Sequence, residues 1–68
     1  MRLANIINKL GSIEWVAEQL GCQPHNIYLA RNRNKLPLKY WGKFVSLCTN
    51  RGVEISIEDL YILSQQRG

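Results

Sequence analysis

Apolar residues recur at helical spacing along most of the chain, with polar residues filling the intervals. Leu3, Ile6, Ile7 and Leu10 fall at i, i+3, i+4 and i+7, one stripe of an α-helix, and Gly11 stops it. Ser12 is a good N-cap for a second helix, and Glu14 suits the positive end of its dipole. Ile13, Val16, Ala17 and Leu20 repeat the same stripe, and Gly21 ends it. Pro24, after Gln23, opens a third helix, because the amide it lacks would be unbonded in the first turn anyway. Ile27 and Ala30 face inward on that helix, which ends near Arg31 or Arg33. Asn34–Lys35 reads as a turn, and Pro37 opens a fourth helix bearing Leu38, Trp41, Phe44, Val45 and Cys48. Asn50, Arg51 and Gly52 close it, and Val53–Ile55 is short and extended or irregular. Ser56-Ile57-Glu58-Asp59 fits the capping-box pattern and launches a fifth helix through Leu60, Tyr61 and Leu63. No stretch alternates apolar and polar residues for long enough to demand a strand.

These patterns predict an all-α fold: one small bundle of about five short helices over residues 1–64, with 65–68 fraying at the end. A chain of 68 residues buries only ~60% of its unfolded surface, so its core is thin and a deep catalytic pocket is hard to build. With 46% hydrophobic and 21% charged residues the composition is that of a globular domain rather than a disordered chain. No apolar run approaches the ~20 residues of a membrane span. Asn5, Asn8 and Lys9 interrupt the place where a secretion signal would need an apolar run, so a cytoplasmic location is expected. Cys22 and Cys48 read as reduced thiols, and with His25 the only histidine no complete metal-ligand set exists. Neither a metal nor a cofactor is expected. Catalysis also lacks its parts: there is no Ser-His-Asp or Cys-His set with a third member and no Gly-rich phosphate loop, and Glu58 and Asp59 diverge on a helix. The expectation is a protein that is not an enzyme.

Charge adds a positive statement. The net +4 divides into a neutral segment from Met1 to Gly21, a segment of +6 from Cys22 to Arg51 with no acid, and a segment of −2 from Gly52 to Gly68. The six cations are Arg31, Arg33, Lys35, Lys39, Lys43 and Arg51. An unopposed run of this kind suits a polyanion, since Lys and Arg displace the counterions condensed on phosphates. A solvated basic face without a partner is the plainer alternative.

The second and third helices, over about residues 13–33, are joined by a very short turn. Ala17 is small enough for close helix approach, Gly21 four residues later suits a left-handed turn, and Ile27 six further on returns to the core. With Leu36-Pro37 leading into another helix, this arrangement resembles the helix-turn-helix of phage Cro and repressor proteins, and in particular short Cro-like prophage regulators. The resemblance covers about Ile13 to Cys48. Three positions depart from it: Ile13 where such motifs often carry Gln, Cys22 where Val or Ile is common, and Ala30 where a Trp or large aliphatic residue is frequent. It implies a lambda-repressor-like fold and sequence-specific binding of a double-stranded DNA operator, with the third helix in the major groove. Transcriptional repression by a homodimer is the role implied.

On that resemblance, Gln23, His25, Tyr28, Leu29 and Asn32 are the candidate base contacts, their side chains being able to pair with base edges or pack on a thymine methyl. Arg31, Arg33 and Lys35, at the distal end of the helix, are candidate phosphate contacts. Lys39 and Lys43 join them, four apart on one face of the fourth helix. Plainer roles stay open for some: His25 as a solvated surface histidine, Leu29 tucked against the fourth helix, Tyr28 bonded to a phosphate. Trp41 and Phe44 read as core, Trp15 and Tyr40 as part-exposed, and these two with Leu60, Tyr61, Leu63 and Ile55 as a candidate self-association surface. Two alternatives stand beside repression: an excisionase-like architectural DNA-binding protein, and a protein-interaction module such as a small phage inhibitor or antitoxin.

Overall fold

Leu3, Ile6, Ile7 and Leu10 all turn inward on α1 (Leu3–Leu10), and Val16, Ala17 and Leu20 do the same on α2 (Ile13–Leu20). Three further helices follow, α3 (Pro24–Arg33), α4 (Trp41–Asn50) and α5 (Ile57–Gln65), in a computed structural model that describes residues 2–65. Among the described residues there is no β-strand, and the fold is a small all-α bundle. The first three helices pack on one another, α2 against α3 most extensively; α4 joins them through α2, and α5 packs on α4. Phe44, Val16 and Cys48 lie at the centre and are wholly buried. Trp41 is also part of this core, while Trp15 and Tyr40 are half-buried against it.

The helix ends explain the boundaries. Ser12 caps α2 by accepting the Trp15 amide at 3.1 Å. Gly21 takes the left-handed conformation (φ 74°, ψ 35°), and the Cys22 amide donates back to the Ala17 carbonyl at 3.0 Å. Together these form a Schellman motif, which pairs carbonyls that the last turn of a helix leaves open. The same device ends α3, where Asn34 is left-handed (φ 56°) and the Lys35 amide reaches the Ala30 carbonyl at 3.0 Å. It recurs after α4, where Val53 donates to Cys48 at 2.7 Å. At the start of α5, Ser56 and Asp59 bond reciprocally: the Asp59 amide donates to Ser56 Oγ at 3.2 Å, and the Ser56 amide to Asp59 Oδ2 at 3.0 Å.

Four expectations are corrected. Pro37 does not open an α-helix. It is extended (ψ 137°), a single 3-10 turn follows at Leu38–Tyr40, and α4 starts only at Trp41. The cause is an anchor one residue earlier: Leu36 is buried, and the Trp41 indole donates to its carbonyl at 2.7 Å. Leu38 is therefore 72% exposed instead of core. Lys39 consequently precedes α4 and does not share a helix with Lys43. Leu60 and Leu63 are buried in the bundle, so they are not available to a self-association surface; Ile57, Tyr61 and Ile62 are the outward apolar residues of α5. Gln65 is the last residue of α5, and the rest of the expected frayed end, 66–68, lies outside the described residues.

Candidate nucleic-acid interface

Only Ile27 and Ala30 of α3 are buried, so this ten-residue helix leaves most of its circumference to solvent. At 1.5 Å per residue it is about 15 Å long. Gln23 is its N-cap and makes no side-chain capping bond. His25, Tyr28 and Asn32 are exposed on the arc opposite Ile27 and Ala30. His25 and Tyr28 lie nearly parallel, their ring centroids 6.2 Å apart at 17°. The Arg31 guanidinium covers the Tyr28 ring at 5.1 Å. His25, Tyr28 and Arg31, spaced by three, thus form one row along the helix.

Arg33 stands two residues after Arg31 and so projects from the opposite flank of α3. That flank faces the Leu38–Tyr40 turn across an open groove of about 310 Å³, lined by Leu29, Arg33, Lys35, Pro37, Lys39 and Tyr40, with Asn26 on the α3 side. Lys39 Nζ sits over the Tyr40 ring at 5.1 Å. Leu29, expected among the base contacts, is half-buried on this flank and not on the outermost arc. Lys43 is exposed in the first turn of α4 and does not line the groove. Arg51, the sixth cation of the basic run, lies over the Trp15 ring at 4.2 Å.

The fold thus gathers three of the five proposed phosphate-contacting cations at one groove and sets a fourth, Arg31, on the far side of the outward arc. No carboxylate lies on α3 or the Leu38–Tyr40 turn, because the acids fall on α2, in the segment after α4 and in the first turn of α5. Sequence patterns missed Pro37 and Tyr40 as groove walls. Their only signal was Leu36-Pro37, which reads as a helix start when the burial of Leu36 is unknown. Asn34 was also missed. Its amide holds the end of α3 in place by accepting the Leu3 amide at 2.8 Å on Oδ1 and donating to the Leu63 carbonyl at 3.4 Å.

Among the described residues, no group of three His, Cys, Asp or Glu side chains is arranged to hold a metal ion, and no helix is long and apolar enough to cross a membrane. Neither protein-family models, curated proteins nor solved structures include a match to the chain.

Proposed function

We propose that the protein binds an operator in double-stranded DNA and regulates transcription, as a Cro-like repressor, by placing α3 in the major groove. One observation carries this: α3 presents an acid-free outward arc of His25, Tyr28 and Asn32 bordered by cations on both flanks, Arg31 on one side and Arg33 with Lys35 and Lys39 on the other. A helix in the major groove lies between two phosphate backbones, so cations belong on both of its flanks and base-pairing side chains between them. Gln23 and His25, at the start of the helix, supply the deepest base contacts, and Lys43 adds a phosphate contact from α4. Exposed Ile57, Tyr61 and Ile62 on α5 favour a homodimer, which would set two half-sites about one helical turn apart.

The test is a mobility-shift titration of the chain against the DNA upstream of its own gene and an unrelated duplex, each at two salt concentrations. Preference for the upstream DNA at both salts is the expected result. Absence of binding to either duplex would overturn the proposal. Equal affinity for the two with steep salt dependence would instead favour the architectural role.

A further inference from the structure

We infer that the groove between α3 and the Leu38–Tyr40 turn seats one nucleotide unit of a strand, its phosphates on Arg33, Lys35 and Lys39 and its sugar against Leu29, Pro37 and Tyr40. The inference rests on the DNA-binding proposal and assigns one strand of the duplex to a built site. The groove differs from a flat basic face in two ways. It is concave, with a volume of about 310 Å³, near the lower end of the range that holds small ligands. Its lining also has two chemistries: three cations with no carboxylate, and an apolar wall. A bare anion would use only the cations. A strand unit uses both, because each apolar sugar is flanked by charged phosphates.

Both walls are held before any ligand arrives. On one side the Tyr40 amide donates to the Pro37 carbonyl at 3.0 Å, and the Trp41 indole ties the next residue to Leu36. On the other, the Schellman motif at Asn34 sets the direction in which Lys35 leaves α3. Lys39 is already drawn over the Tyr40 ring, so less side-chain freedom is lost when it meets a phosphate. The half-buried Leu29 completes the wall from the α3 side, which makes it a sugar contact rather than a base contact.

Fluorescence anisotropy of a labelled operator duplex across a salt series separates the two chemistries. Arg33→Ala and Lys39→Ala should each flatten the slope of log Kd against log salt by about one. Leu29→Asn and Tyr40→Ala should weaken binding roughly 3- to 10-fold at every salt with the slope unchanged, since they remove apolar contact. Lys9→Ala, on α1, serves as the control. If duplex binds and the groove variants behave like Lys9→Ala, the groove assignment is wrong.

Because Tyr40 packs on the core, a second measurement uses the unaltered chain. Backbone amide resonances are followed by NMR while thymidine 3′,5′-bisphosphate or inorganic phosphate is added. Larger shifts at Ala30, Lys35 and Tyr40 with the bisphosphate sustain the site, even where failure of duplex binding has overturned the DNA proposal. Equal shifts with the two probes, or none, overturn it.

Discussion

Asn34 closes α3 in the left-handed conformation while its side chain bonds the first amide of α1 and a carbonyl in the last turn of α5. It is 1% exposed, so whatever replaces it leaves those groups without solvent. Asn34→Ala should cost roughly 2–4 kcal/mol, combining the unpaired polar groups with the strain of alanine at positive φ. Asn34→Gly relieves the strain alone and should cost about 1–2 kcal/mol less. Urea unfolding of the three proteins measures both terms. Burial pushes the Cys48 thiol from 9.0 up to about 11. Between those values the unfolded chain loses the thiol proton and the folded chain keeps it, so the folded state binds more protons and stability falls as pH rises. The stability advantage of the native protein over Cys48→Ala should therefore shrink from pH 9 to about pH 11. Urea midpoints of the pair taken across that range would show it.

At the scale of the element, the turn between α2 and α3 depends on Gly21, whose φ of 74° is a region side chains avoid. A Cβ there would meet nothing within 4 Å, so Gly21→Ala isolates the backbone cost, about 1–2 kcal/mol of destabilisation. Gly42, on the exposed side of α4, has equally open surroundings but no positive φ. Gly42→Ala should stabilise by about 0.5–1 kcal/mol, since alanine loses less freedom in a helix. Opposite signs for two glycines with the same free space, read by thermal or urea unfolding, would establish that conformation and not packing sets the α2–α3 turn.

On the scale of the whole molecule, charge is sorted by the fold. Arg31→Ala should weaken binding to all duplexes alike and lower the salt slope by about one. Gln23→Ala or His25→Ala should instead reduce discrimination between operator and unrelated DNA by about 1–3 kcal/mol. Identical behaviour of all three variants in the anisotropy assay would mean that α3 does not read bases. Self-association belongs to this scale too. Tyr61→Lys, at a residue 56% exposed on α5, should shift sedimentation from dimer to monomer while far-UV circular dichroism keeps the helical signal of the folded chain. A native protein that sediments as a monomer at all concentrations would exclude the proposed dimer.

Local chemistry in the sequence determined the helices and several of their ends. The i, i+3, i+4, i+7 stripes of α1 and α2, the Ser12 cap, the Gly21 turn and the Ser56–Asp59 box each act within a few residues, so each is legible without a fold. The separation of a basic middle segment from a neutral first and an acidic last segment is equally a property of the chain alone. Long-range packing decided the rest. Leu36 and Leu38 are both leucines beside Pro37, and which is buried is settled only by packing: Leu36 joins the core, with the Trp41 indole donating to its carbonyl, while Leu38 faces out. That choice delayed α4, moved Lys39 off it and opened the groove that gathers Arg33, Lys35 and Lys39. Asn34 reads as an ordinary turn residue because its partners, Leu3 and Leu63, are 31 and 29 positions away. Contacts at such separations exist only once the helices have packed, which is why no local pattern announced them.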